Sequence, residues 1–146
     1  MIKKIAVALV ALTMVSGCGY VSKDYRHDAE HLMYFQEHVG DTVWFDLNSS
    51  SINKKSAKIL AEQSSWLMEH DKYMAVVEGH CDERGTGDYN LALGARRAES
   101  IKAKLVEHGI AADRISTISY GKTKPVDAGH NEEAWAKNRR GVLVIK

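Results

Sequence analysis

Residues 78 to 87, EGHCDERGTG, set His80, Cys81, Asp82, Glu83 and Arg84 side by side between glycines. Those side chains own metal-ligand atoms, a nucleophile, two acids and a guanidinium fork, so three kinds of chemistry are open. Consecutive side chains of an extended segment alternate sides, which works against four neighbours converging on one ion, and no second cluster at ligand spacing occurs elsewhere. A Cys81 nucleophile would need an activating histidine and a third group to orient it, and His80, as its immediate neighbour, points away. No metal, cofactor or catalytic residue is therefore expected, and a rigid loop that presents charges to a ligand is the third option.

Such a loop has a mechanism. The apolar run before it ends at Gly79, the chain turns through Gly85 and Gly87, and Asp88 or Asn90 is placed to cap the next helix, whose first N–H groups form an anion site. With Leu91 as origin and roughly 100° per residue, Gly94, Ala95, Ala98, Ile101, Leu105 and Val106 gather into one stripe. Arg97 falls on its flank, Arg96 nearly opposite, and Lys102 interrupts it, its charge free to snorkel. Packing can fix Arg97, and a fixed guanidinium offers a bidentate fork to a carboxylate. Two readings of Asp82 and Arg97 stand together: opposite grips for a zwitterion, or an ion pair that joins loop to helix.

The elements that position these residues follow from patterning. DTVWFDL, from Asp41, alternates and predicts a first strand ending near Asn48, and NSSSINKK supplies several helix caps. Ile52, Ile59, Leu60, Trp66 and Leu67 recur at helical offsets and predict a helix to His70. YMAVVEG reads as a buried central strand. A helix over Asn90 to about His108 stops at Gly109, and RISTISYG, EEAWAKN and GVLVIK give strand, helix and strand. Alternating strands and helices predict an α+β sandwich, helices packed on one sheet.

The amino-terminal segment is a different material. MIKKIAVALVALTMVSG opens with Lys3 and Lys4, runs apolar from Ile5 to Val15, and ends on small residues, the pattern of an export signal. Its apolar run falls short of the roughly 20 residues that span a bilayer. VSGC, at residues 15 to 18, resembles the lipobox of bacterial lipoproteins, which implies cleavage of residues 1–17 and acylation of Cys18. Gly19 follows it where the aspartate of an inner-membrane retention signal would stand, so outer-membrane sorting is expected. Residues 18–40 are polar, dotted with histidine, and read as a flexible tether with a short amphipathic helix around Ala29 to His38; a single domain over 41–146 follows.

Composition excludes more than it selects. Twenty basic and 19 acidic residues provide no excess for nucleic acid, and losing Lys3 and Lys4 with the signal takes the formal charge from +1 to −1. Once Cys18 is acylated, Cys81 has no disulfide partner and is either a buried thiol or an intermolecular liability. Most of the seven histidines read as surface residues.

VEGHCDERGTGDYNLALGARRAESIKAKL, then RISTISYGKTKP and GHNEEAWAKNRRGVLVI, resemble the carboxy-terminal domain shared by OmpA-type proteins. More narrowly, DERGT, RRA, SYGKTKP and KNRR resemble the peptidoglycan-associated lipoproteins of the Tol-Pal system, over Asp41 to Lys146. The resemblance implies a β-α-β-α-β-α-β fold with a four-stranded mixed sheet. It implies a non-enzymatic outer-membrane lipoprotein that binds peptidoglycan noncovalently, contributes to envelope integrity and cell division, and partners the periplasmic β-propeller protein TolB, which competes with the wall. In that family an aspartate holds the ammonium end of diaminopimelate and an arginine fifteen residues later its carboxylate, positions that fall on Asp82 and Arg97. Further family contacts fall on Phe45 and Asp46 in the first strand, on Asn48, where related proteins commonly carry aspartate, and on Asn90. For Asn138, Arg139 and Arg140, bonding into the last strand is the expectation. The alternatives are a wall-processing enzyme using the His80–Asp82 loop and a purely structural lipoprotein.

Overall fold

The computed structural model describes residues 23–146; the signal segment and Cys18 lie outside the described residues. Four strands, β1 (Thr42–Trp44), β2 (Ala75–His80), β3 (Ile115–Gly121) and β4 (Arg140–Ile145), form one sheet in the order β1-β4-β2-β3. β2 runs parallel to β3, and β4 runs antiparallel to both of its neighbours. Helices α2 (Lys54–Glu69), α3 (Gly87–Glu107) and α4 (Glu132–Asn138) alternate with the strands, so the expected α+β order is present. No helix among the described residues is long and apolar enough to cross a membrane.

Each of these helices opens on a side-chain cap. Asn53 accepts from the Ser56 N–H at 2.9 Å, Thr86 from Tyr89 N–H at 3.2 Å and Asn131 from Ala134 N–H at 2.9 Å. Thr86 thus takes the role expected of Asp88 or Asn90, and α3 begins a turn earlier than its apolar pattern indicated. Val43, Val77 and Leu143 on the sheet meet Leu60 and Leu67 of α2 and Ala98, Ile101 and Leu105 of α3 in one cluster. Burying each larger aliphatic side chain contributes about 1.5–3 kcal/mol.

The buried face of α3 is rotated from the stripe drawn on sequence. Leu93, Gly94, Arg97 and Ile101 are buried, whereas Leu91 and Val106 are exposed. Close approach of backbones sets that rotation: a Cβ on Gly79 would lie 1.8 Å from the Gly94 carbonyl oxygen, so β2 and α3 touch where neither carries a side chain. β1 is also shorter than expected and ends at Trp44, leaving Phe45 and Asp46 just beyond it. The Phe45 N–H still donates to the Arg139 carbonyl at 2.9 Å, continuing the β1–β4 pairing by one rung.

Chain assigned to the tether carries structure of its own. Helix α1 spans Lys23–Tyr34 and continues as a π-helical turn, Phe35–Val39. Phe35 is buried, its ring 4.8 Å from that of Trp66, which also stacks on His70 and Tyr73. Tyr73 Oη and Lys72 Nζ donate to the Asp28 carboxylate, and Gln63 Nε2 donates to the Gly40 carbonyl at 2.8 Å. Phe35 lies within the short amphipathic helix expected around Ala29 to His38, but its burial depends on Trp66, 31 positions away in sequence.

Candidate functional site

The C-terminal end of β2 leads directly into the charged loop. His80 and Cys81 point to opposite sides of the chain, as alternation requires. The His80 ring stacks against Tyr120 at 5.5 Å, while Cys81 Sγ donates to the Asn90 carbonyl in α3 at 3.2 Å. His80 is buried with neither ring nitrogen hydrogen-bonded, and burial, with Arg140 and Lys124 nearby, pulls its pKa down to about 4. Burial likewise pushes the Cys81 thiol up, opposed by Arg97. A neutral imidazole and a protonated thiol on opposite faces lack the arrangement of a nucleophile and its base. Cys81 is thus the buried thiol of the two alternatives, and His80 departs from the expectation of surface histidines.

Asp82 is 5% exposed and strongly engaged. Its Oδ1 accepts from Arg84 N–H and Nε at 3.1 and 3.2 Å, its Oδ2 from Arg84 Nη2 at 2.7 Å, and Arg139 Nη1 stands 3.5 Å away. Burial alone would raise its pKa, but those donors overcome it and hold the carboxyl below its usual value. Arg84 also lies over the Trp135 ring at 4.0 Å. Glu83 accepts from Trp135 Nε1 and His130 Nδ1, each at 2.8 Å, which ties the loop to α4 and to the segment before it.

Arg97 is fully buried at the centre of its helix face, deeper than the flank position predicted, and Arg96 is exposed as expected. Its guanidinium donates to three carbonyls, from Ser49 at 2.8 Å, His80 at 2.9 Å and Asp46 at 3.1 Å, and faces the Phe45 ring at 5.2 Å. Among the described residues no carboxylate lies within ion-pair distance of it; Asp82 pairs with Arg84 and Arg139 instead. A direct Asp82–Arg97 ion pair, one of the two readings of the sequence, is therefore not formed. Burial draws the Arg97 pKa below its ordinary value, with Cys81 and Asp82 opposing the shift.

The other expected contacts divide. Phe45 is buried, forming a wall beside Arg97, and Asp46 is exposed, its carbonyl on Arg97. Asn48 is exposed with a left-handed backbone, φ 54°, a conformation asparagine tolerates well, and Tyr89 Oη points at its Oδ1 from 3.5 Å. Asn90 is buried inside α3, where its Nδ2 donates to the carbonyls of Arg84 and Thr86, so it braces the loop. Asn138 Oδ1 accepts from the N–H groups of Val126 and Asp127, and Arg139 binds the Phe45 carbonyl and Glu132; both are structural bonds. Sequence reasoning placed Arg84 in the charged loop but missed its pairing with Asp82, for which the signal was Asp-x-Arg, in which a side chain turns back on a residue two positions before it, and it missed Trp135. No group of three or more His, Cys, Asp or Glu among the described residues is arranged to hold a metal.

This arrangement has counterparts in known proteins. Residues 44–139 match the model of the OmpA family. A peptidoglycan-associated lipoprotein of Mesorhizobium japonicum is 41% identical, with 97% of this chain and 90% of that protein covered. The chain belongs to the peptidoglycan-associated lipoproteins of the OmpA family. The peptidoglycan-associated lipoprotein of Rhizobium meliloti is 39% identical, with 97% and 86% covered. The crystal structure of the peptidoglycan-associated lipoprotein from Burkholderia pseudomallei superposes with a TM-score of 0.73 at 36% identity, covering 76% of this chain and 96% of that one. The C-terminal domain of Helicobacter pylori MotB, at 21% identity and a TM-score of 0.66, shares the OmpA-like fold, with 73% of this chain and 85% of that one covered.

Proposed function

We propose that this member of the OmpA family is a lipid-anchored envelope protein that binds peptidoglycan noncovalently, with Asp82 and Arg97 gripping opposite ends of a diaminopimelate residue in the stem peptide. The observation that carries this reading is Arg97, a buried cation without a carboxylate partner among the described residues. A buried guanidinium in that condition is costly, and a ligand carboxylate supplies the missing counter-charge. Its present acceptors include carbonyls of the Asp46–Ser49 turn, so the ligand reaches the fork by taking the place of one of them. Asp82, kept ionised, attracts the ammonium end. Phe45, Asp46 and Asn48 border the carboxylate end, and Asn90 acts indirectly by fixing the loop.

Acylation of Cys18 retains the protein at the outer membrane with the domain facing the periplasm, and the site retains the wall. Holding both on one chain raises the effective concentration, so a modest affinity joins the two layers. Membership of the Tol-Pal system, with TolB as a competing partner and a part in cell division, completes the proposal on family grounds. No chemical step is assigned to the site.

The competing reading draws on Arg84 and Arg139, which satisfy Asp82 within the protein and would make it a purely structural residue. Cosedimentation of the folded protein with diaminopimelate-type sacculi separates the two. Asp82→Asn and Arg97→Gln should release the protein from sacculi while circular dichroism stays that of the parent. Retained binding by both folded variants would remove this site.

A further inference from the structure

A cavity of about 350 Å³ opens beside the proposed grip, bordered by Trp44, Phe45, Asp46, Lys55, Lys137 and Arg139. Two of these residues belong to both places: Arg139 contacts Asp82, and the Asp46 carbonyl binds Arg97. Arg139 is 7% exposed and gives the cavity a buried cationic wall. The opposite rim is rigid, because Ser56 Oγ donates to the Trp44 carbonyl at 2.7 Å and Asn53 caps α2 directly behind it.

The charges on that rim are unusual for a helix start. The first turn of α2 carries no acid, and Lys54 and Lys55 occupy it, where the helix dipole disfavours cations by about 0.3–1 kcal/mol each. Lys137 is engaged by Asp127 and Glu133 at 3.0 and 3.2 Å. Lys55 has no acid within ion-pair distance among the described residues; its Nζ lies 5.6 Å from the centre of the half-exposed Trp44 ring. A free lysine, the positive end of a helix and an indole face make a place for an anion carried next to an apolar group. Asp46, the one acid of the lining, makes the cavity mixed in sign, which favours a peptide over a simple anion.

Resting on the reading of the Asp82–Arg97 site above, we propose that this cavity is a second subsite for the same stem peptide, in which Lys55 receives a carboxylate from a residue adjoining diaminopimelate and Trp44 packs against that residue's apolar atoms. Wall peptides with a γ-linked glutamate next to diaminopimelate carry such a free carboxylate. The subsite makes the protein a reader of peptide context, which recognition of one amino acid alone would not provide.

Titration calorimetry of the full chain in detergent, with free meso-diaminopimelate and with L-Ala-γ-D-Glu-meso-diaminopimelate as probes, tests the proposal. Lys55→Met should weaken the tripeptide at least about tenfold, the weight of one charge-assisted contact, and leave free diaminopimelate unchanged. Lys55→Arg should restore tripeptide binding, and Trp44→Leu should weaken the tripeptide alone. Equal loss for both probes, or no loss for either, overturns the subsite while leaving the primary grip in place. If the parent binds neither probe, the primary reading fails and the subsite falls with it.

Discussion

At the β2–α3 junction the buried charges Asp82 and Arg97 are each held by several hydrogen bonds, whereas at the α1–α2 junction Trp66 Nε1 and His31 Nδ1 are buried with none. The first junction is specified by directional bonds from the Asp46–Ser49 turn, the loop and β4, which converge on a guanidinium and a carboxylate. The second is specified mainly by shape, through Phe35, Trp66, His70 and Tyr73 stacked face to face or tilted, with hydrogen bonds to Asp28 and to the Gly40 carbonyl at its edges. Directional bonding fixes atoms to the tolerance that recognition of a zwitterion needs, while aromatic packing fixes a helix with looser geometry. On the proposed reading, the first junction is the one that confers ligand specificity, and the second attaches the amino-terminal helix.

The sharpest way to break the first junction is Gly79→Ala. Its Cβ would meet the Gly94 carbonyl at 1.8 Å, backbone on backbone, so strand and helix must separate. We expect destabilisation of more than about 3 kcal/mol in urea titrations and loss of sacculus binding with it. Phe35→Ala attacks the second junction and should cost about 3 kcal/mol. In the folded fraction, cosedimentation with sacculi should be unchanged. A binding defect in folded Phe35→Ala would show that the two junctions are coupled and sink the contrast.

Acid sharpens the comparison further. His80 is neutral in the fold, with a pKa of about 4 against an ordinary 6.5, so the unfolded chain takes up a proton first as pH falls. Its contribution is complete above pH 6.5 and is lost progressively down to about 4, a swing on the order of 3 kcal/mol. His80→Leu should flatten melting temperature across that window, and an unaltered slope would refute the assignment. Asp82, with its folded pKa depressed, contributes stability that is present above the usual carboxylate value of 3.8 and lost only as pH falls through its lower folded value. The smallest effect on stability is Asp82→Asn, about 1 kcal/mol because Arg84 is partly solvated, together with the largest selective loss of wall binding.

Most of the element order was legible in the sequence, since strands and helices here carry apolar periods and caps at Asn53 and Asn131. Arg97 was legible as the inward arginine because helical geometry separates it from Arg96 by a full residue's rotation. Its depth was not legible: the rotation of α3 is set by the contact between Gly79 and Gly94, and a residue without a side chain leaves no mark in an apolar pattern. Asp82's partners were half legible, Arg84 lying two positions away and Arg139 arriving from the far end of the chain. The helix that carries Phe35 was legible as an amphipathic segment, but the docking of Phe35 was not, because the surface that buries it belongs to α2.

The amino-acid sequence by itself determined the alternation of strands and helices, the charged loop after β2 and the identities of the two opposite charges, because these rest on local periodicity and on turn and cap chemistry within a few residues. Tertiary structure alone decided that Arg97 is buried against carbonyls from three separate positions, that Arg139 joins Arg84 on Asp82, and that α1 packs on α2. Those outcomes depend on which surfaces meet when the chain closes on itself, and a contact between residues tens of positions apart has no local signature from which to read it.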